Sequence, residues 1–300
     1  MVSDKLDQLR ALLRSYGSCL VAYSGGVDSV FLARVAADVL GERALAVIAD
    51  SPSLPRRELE EAMVLAKQFN IPVRIVETRE FANAAYTANP VNRCYFCKQE
   101  LFAVLAPIAR DEKFAVIAYG ENASDIGDHR PGAQAAAEFQ VRAPLKEAGL
   151  TKPEIRALST ELGLPTAEKA QMACLSSRIP HGEIVSPLKL HMIEQAENLL
   201  RGLGFHDVRV RHHELAAGPK PQAAASPSTH SQPSTFNLQP STLQHLARIE
   251  VGPDEMSKFL LNGTALRVAE VLKQIGYAQV TLDLQGYRRG GGAAPVSGER

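Results

Sequence analysis

Ser24-Gly25-Gly26-Val27-Asp28-Ser29 decides how the rest of this chain is read. The apolar run Cys19-Leu20-Val21-Ala22-Tyr23 leads into it, and the helical stretch Val30-Phe31-Leu32-Ala33-Arg34-Val35-Ala36 leads out. A short buried strand that breaks at two glycines and then enters a helix aims free backbone N–H groups and the positive helix end at one point, which is how an anion is held. Gly25 and Gly26 let the backbone curl around phosphate oxygens with no Cβ in the way, and the hydroxyls of Ser24 and Ser29 can donate further hydrogen bonds. No Lys follows the glycines as a Walker A loop requires, and the three glycines of a dinucleotide fingerprint are missing. A pyrophosphate cradle for ATP is the functional reading, set against the bland one of a Gly-Gly turn that closes a core strand.

Outward from this loop, short Val- and Ile-rich runs at 44–49, 73–76 and 114–119 alternate with helical stretches at 56–69 and 99–110. The alternation predicts an α/β fold with right-handed crossovers and a mostly parallel sheet, ligands lying at the carboxyl ends of its strands. Asp50-Ser51-Pro52 and Gly120-Glu121-Asn122-Ala123-Ser124-Asp125 close two of those strands, so both polar loops are expected to open beside the phosphate loop, and Asp50 joins the nucleotide-binding candidates. In this context Ser24, Gly25, Gly26, Asp28 and Ser29 resemble the PP-loop of ATP pyrophosphatases, which cleave ATP between its α and β phosphates and leave AMP on a substrate. Asp28 is placed to help hold Mg²⁺ on the phosphates.

Composition agrees with a globular enzyme. Of 300 residues, 45% are hydrophobic, enough for one substantial α/β core and a smaller second domain. Basic and acidic side chains balance at 33 each, so no global field draws nucleic acid. Asp4, Lys5, Asp7, Arg10 and Arg14 interrupt Leu6, Leu9, Leu12 and Leu13, which makes the first 17 residues an amphipathic helix rather than a signal peptide. With no membrane-spanning run, a cytoplasmic location is expected, where four cysteines are not read as disulfides.

Domain limits follow from changes in pattern. Residues 1–185 form the PP-loop domain, in which Thr151-Lys152-Pro153-Glu154 starts a helix read as structural. From Ser186-Pro187 the pattern becomes α+β: a helix to about Leu203, strands at 208–211, 247–251 and 279–284, and helices at 253–260 and 265–275. This second domain, 186–287, is interrupted by a Pro-Ser-Thr-rich insertion at 214–246 with too little apolar content to offset ordering, and residues 288–300 read as a flexible tail.

The cysteines divide in two. Cys19 lies among strand residues and reads as a small core hydrophobe. Cys94-Tyr95-Phe96-Cys97 reads as a loop entering the next helix, and Cys174 sits in its own polar loop. A C-x-x-C grips one metal from a tight turn, and a third thiolate from elsewhere leaves one position open, which suits a [4Fe–4S] cluster with one iron unligated by protein. A zinc site, a redox dithiol and unrelated core cysteines stay open beside that reading. Arg178 follows Cys174 closely enough to lower its thiol pKa. Arg209 and Arg211 alternate on a strand and share a face, as do Arg248 and Glu250, so the two guanidinium forks of 209 and 211 can clamp a substrate phosphate unless the face is merely solvated.

These segments together, Ser24 to Ser29, Asn92-Arg93-Cys94-Tyr95-Phe96-Cys97-Lys98, Ala173-Cys174-Leu175-Ser176-Ser177-Arg178-Ile179-Pro180, Arg209-Val210-Arg211-His212-His213, Ala247-Arg248-Ile249-Glu250-Val251 and Thr281-Leu282-Asp283-Leu284-Gln285-Gly286-Tyr287-Arg288, resemble the LarE family. The motifs stand in the family's order and the resemblance covers all but the insertion and the tail. It implies an ATP-dependent sulfur transferase of nickel-pincer nucleotide (lactate racemase cofactor) biosynthesis. Such an enzyme adenylates a carboxylate of pyridinium-3,5-biscarboxylic acid mononucleotide and lets sulfur displace AMP to give a thiocarboxylate. Some members sacrifice the sulfur of the cysteine matching Cys174; others bind a [4Fe–4S] cluster through three cysteines and are recharged by sulfide or another sulfur donor. With Cys94, Cys97 and Cys174 this chain resembles the second kind, and Cys174 is the shared catalytic position. The resemblance also implies a homo-oligomer, with Arg178, Arg209 and Arg211 on the substrate phosphate. Two departures stand out: about thirty residues of insertion where the family has a short turn, and Gln171 where an apolar or small residue is usual. A tRNA thiolase would share the PP-loop and paired cysteines, but this chain has no Trp and no basic excess. A non-catalytic nucleotide-binding protein with structural zinc is the third reading.

Overall fold

The apolar runs between glycine and proline breaks form strands, and helices cover them. A computed structural model describes residues 2–125, 131–170, 173–215 and 243–287; Gln171, most of the Pro-Ser-Thr-rich insertion and the tail lie outside the described residues. In chain order the elements are α1 (Val2–Tyr16), β1 (Cys19–Tyr23), α2 (Val27–Leu40), β2 (Ala44–Asp50), α3 (Arg56–Gln68), β3 (Val73–Glu77), α4 (Ala84–Thr87), α5 (Arg93–Asp111), β4 (Val116–Tyr119), α6 (Pro131–Glu138), α7 (Pro144–Glu147), α8 (Lys152–Glu161), α9 (Pro187–Gly202), β5 (Val208–Leu215), β6 (Gln244–Val251), α10 (Thr264–Ile275) and β7 (Gln279–Leu282). The chain divides into two units, the first running to Ser176 and including Ile184–Pro187, the second made of Ser177–Glu183 and the chain from Leu188 onward. None of the described helices is long and apolar enough to cross a membrane.

The first unit is the expected α/β domain. Its four strands are parallel in the order β3-β2-β1-β4. Every residue of β1 is buried because the sheet is covered on both faces. Alternation sends Cys19, Val21 and Tyr23 into a core with Leu9 and Leu13 of α1, Phe31 of α2 and Leu158 of α8. Leu20 and Ala22 point the other way, toward Phe102 and Leu105 of α5 and Ala135 of α6.

Three local expectations are corrected. α5 begins at Arg93 rather than near Gln99, so Cys94 and Cys97 lie in its first turn and not in a loop. Tertiary contacts override the weak helix propensity of Cys, Tyr and Phe here: Arg93 is buried, and its N–H donates to Pro90 O at 2.9 Å to start the turn. The helix expected over 253–260 is a 3₁₀ segment. Strands β5 and β6 run into the region assigned to the insertion, pairing Glu214 with His245 and Leu215 with Gln244, because antiparallel pairing outlasts the apolar pattern. The helix start at Thr151 is as read: the Thr151 N–H donates to Glu154 Oε2 at 2.8 Å.

In the second unit β5 and β6 pair antiparallel and β7 adds parallel to β6. Val208, Val210, Ile249 and Val251 pack on Ala196, Leu200, Phe205 and Leu272. Alternation carries His212 inward as well, with no exposed surface. Its Nδ1 lies 3.3 Å from Tyr277 OH and its Nε2 3.1 Å from His245 Nδ1. Burial, then the neighbouring His245, lowers its pKa to about 3. The same imidazole titrates at about 6.5 in the unfolded chain. Between those values the unfolded chain binds the additional proton, so the stabilisation is full above about pH 6.5 and is lost as pH falls toward 3. Guanidinium unfolding followed from about pH 7 to 4.5 is expected to show a steep loss of stability, and His212→Leu a shallower one; equal slopes contradict this account.

Candidate active site

β2 and β3 lie on one side of β1 and β4 on the other, so the chain reverses direction across the sheet beside β1. The crevice this opens at the carboxyl ends of the strands is where α/β sheets bind ligands. Ser24 to Ser29 stand there. Gly25 has φ +71°, and a Cβ on it would stand 2.8 Å from Ala62 Cβ of α3. From the other side Gly120, at the end of β4, approaches so closely that its Cβ would lie 3.0 Å from Ser29 N and 3.2 Å from Asp28. The Gly120 loop therefore opens beside the phosphate loop, as its place in the sequence predicts. Ser24 and Ser29 brace the turn: Ser24 N–H donates to Ser29 Oγ at 3.1 Å, Ser29 Oγ donates to Gly26 O at 3.1 Å, and the two hydroxyls are 3.0 Å apart.

Charge around the loop is already paired. Asp28 accepts from Asn122 Nδ2 at 3.3 Å and from the ammonium of Lys152. Lys152 opens α8, so the helix read as structural also delivers a cation to the phosphate loop. Sequence reasoning missed it, although a lysine at a helix start within a strand-end cluster was visible. Lys169 is a second omission: its Nζ lies 2.7 Å from Glu58 Oε2, 3.2 Å from Glu61 Oε2 and 3.5 Å from Gly25 O. Asp50 closes β2 and pairs with Arg56 at 2.5 Å.

The thiols occupy the same unit. Cys94 and Cys174 are exposed and Cys97 is half-buried, whereas Cys19 is buried in the core as expected. Burial pushes the Cys97 thiol up to about 12, with Cys174 and Glu80 adding to it. Burial and then Cys174 raise Cys94 too, so the third cysteine lies within electrostatic reach of the pair. Arg93, missed in the sequence although it directly precedes the pair, places Nη2 4.0 Å from Cys174 Sγ. Burial lowers the pKa of Lys98, against the pull of Cys97 and Cys94. Three thiols flanked by two cations fit, in donor chemistry, a group that is itself held by thiolates and carries negative charge. Among the described residues no set of three or more His, Cys, Asp or Glu side chains is gathered tightly enough to hold a metal ion.

The second unit holds the arginine set. Arg178 donates to the Glu197 carboxylate through Nε at 2.9 Å and Nη2 at 3.2 Å. Burial raises the Glu197 pKa, but Arg178 and then Arg201 outweigh it and keep the carboxylate below its usual range. Arg211 pairs with Glu250 at 3.0 Å and donates to Ser177 O at 2.9 Å. Arg209 differs: it lies over the Tyr287 ring at 4.7 Å and has no carboxylate ion pair among the described residues. On the facing strand Arg248 reaches Glu250 at 3.3 Å and also pairs with Asp283.

Known proteins fit this arrangement. A family model described as NAD synthase matches residues 1–103. The uncharacterized protein slr1717 of Synechocystis is 40% identical, with 97% of each chain covered. The pyridinium-3,5-bisthiocarboxylic acid mononucleotide synthase of Lactiplantibacillus plantarum is 31% identical over 96% of this chain and 94% of its own length. This chain belongs to the LarE family. Its LarE-type phosphate loop is shared more widely: a component of the glutamine-hydrolyzing GMP synthase of Methanococcus vannielii is 26% identical over 49% of this chain and 50% of its own length. The PP-loop domain thus reaches across enzymes, whereas the likeness to LarE runs nearly end to end.

Gly25→Ala is expected to weaken ATP binding about tenfold or more in calorimetry, because a left-handed L-residue costs about 1–2 kcal/mol and the new methyl meets Ala62. Gly17→Ala is the control: it has φ +73° with nothing within 4 Å of its Cβ, at the far end of β1, and should leave ATP affinity unchanged. Equal losses in both contradict a phosphate-binding role for the loop.

Proposed function

We propose that this chain is an ATP-dependent sulfur transferase that converts a carboxylate of pyridinium-3,5-biscarboxylic acid mononucleotide into a thiocarboxylate on the way to the nickel-pincer nucleotide. The observation that carries the reading is the presence, in one unit, of a PP-loop and of an exposed Cys174 within electrostatic reach of Cys94 and Cys97. The relationship to the Lactiplantibacillus plantarum synthase supports the substrate class.

The residues divide the work. Backbone N–H groups of the phosphate loop and the start of α2 receive the triphosphate, and Asp28 is the carboxylate for Mg²⁺. A substrate carboxylate oxygen attacks the α-phosphorus and pyrophosphate leaves. The acyl adenylate then exchanges a C–O bond for a C–S bond, and AMP departs with the electron pair; an unactivated carboxylate offers no such leaving group. Cys94, Cys97 and Cys174 would hold a [4Fe–4S] cluster, which supplies a sulfur that sulfide or another donor can replace after each turnover. Arg93 and Lys98 offset negative charge gathered at that sulfur. Arg178 and Arg211, fixed by Glu197 and Glu250, frame the substrate phosphate, and Arg209 offers its fork to it.

With anaerobically prepared protein, ATP and the pyridinium mononucleotide should give AMP and thiocarboxylate in equal amounts by mass spectrometry. Cys174→Ser should keep AMP formation and lose thiocarboxylate by about 100-fold or more. Arg209→Ala should raise KM for the mononucleotide about tenfold, with little change in kcat. Thiocarboxylate formation by Cys174→Ser at the unaltered rate overturns the reading.

A further inference from the structure

Beside Cys174 three hydroxyls from three distant stretches of chain close a ring. Ser53 Oγ lies 2.6 Å from Tyr86 OH and 3.0 Å from Ser176 Oγ, and Tyr86 OH lies 2.9 Å from Ser176 Oγ. Each hydroxyl can donate one hydrogen bond and accept one, so the ring satisfies itself without water. All three side chains are buried, with Ser176 wholly enclosed. The backbone is fastened at the same place: Leu175 N–H donates to Ser53 O at 2.9 Å. Arg93 Nη1 donates to Ser176 O at 3.1 Å and to Asn89 Oδ1, while its Nη2 faces Cys174. Phe81 packs its ring against Tyr86 at 5.2 Å.

The origin of the partners gives the ring its meaning. Ser53 belongs to the loop that leaves β2 at the carboxyl edge of the sheet, the edge that carries the phosphate loop. Tyr86 sits on α4, just ahead of the paired cysteines, and Arg93 opens their helix. An exposed cysteine on a polar loop would otherwise sample many positions, and transfer needs its sulfur within a fraction of an ångström of the productive place. A closed polar network fixes one arrangement where an apolar contact of equal volume tolerates several.

We propose that Ser53, Tyr86 and Ser176, together with Arg93, are positioning residues for sulfur transfer: they hold Cys174 toward Cys94 and Cys97 and in register with the nucleotide edge of the sheet. They take no part in forming the acyl adenylate. The chemical consequence rests on the reading of Cys174 as the sulfur-bearing residue; the mechanical one does not.

The test uses Tyr86→Phe, Ser176→Ala and the double variant Ser53→Ala/Tyr86→Phe. Single-turnover thiocarboxylate formation is expected to fall about tenfold in each, while AMP formation stays within about twofold of the unaltered protein. Because the ring acts as a unit, the double variant should be no slower than the slower of its two single variants. In metal-free protein, amide hydrogen exchange across residues 173–180 should speed up about tenfold, with α2 unchanged. Parallel loss of AMP and thiocarboxylate overturns the proposal, since that marks a general fold element. So does unchanged thiocarboxylate formation with unchanged exchange. If the unaltered protein makes no thiocarboxylate, the functional reading fails by itself. Exchange across 173–180 then decides the ring: faster exchange in the variants upholds the positioning role, and unchanged exchange ends it.

Discussion

The phosphate loop exists because backbone approaches backbone where no side chain fits. Gly25 lies against Ala62 on one side, and Gly120 lies against Asp28 and Ser29 on the other. Those contacts dictate the order of the sheet. α3 must follow β2 to bring Ala62 under the loop, and β4 must return beside β1 to bring Gly120 over it. The crevice at the switch between β1 and β4 and the glycine positions are therefore two expressions of one constraint. A side chain at either glycine closes the space that an anion would use.

Around this frame the chain has settled most of its charges in pairs before any ligand arrives. Lys152 meets Asp28, Lys169 meets Glu58 and Glu61, and Arg56 meets Asp50. Partly buried pairs of this kind fix geometry more than they add stability, since desolvation offsets much of the attraction. The second unit follows the same rule, with Glu197 and Glu250 orienting Arg178 and Arg211. Arg209, resting on Tyr287, is distinguished by having no such partner among the described residues.

Much of this was legible in the residues. The strand–loop–helix around Gly25 and Gly26, the alternating pattern behind it, and the helix start at Thr151 all rest on local rules that tertiary structure did not override. The first turn of α5 was not legible, because Cys94, Tyr95 and Phe96 carry little helix preference and the turn depends on burying Arg93. The ends of β5 and β6 were hidden for a related reason: cross-strand pairing holds Glu214 and Leu215 where composition alone suggests a loop. Lys152, Lys169 and Arg93 were passed over because isolated cations read as solvated surface, and only the fold shows which carboxylate or sulfur they face. The hydroxyl ring is beyond any sequence rule, since Ser53, Tyr86 and Ser176 share no spacing.

The account turns on what Cys94, Cys97 and Cys174 hold while ATP activates the substrate. Iron, zinc and acid-labile sulfide, measured per chain on protein purified without oxygen and read together with its visible spectrum, address that directly. The account predicts about four irons with matching sulfide and a broad thiolate-to-iron absorption, lost when Cys174 is replaced by Ser; zinc in place of iron and sulfide would contradict it.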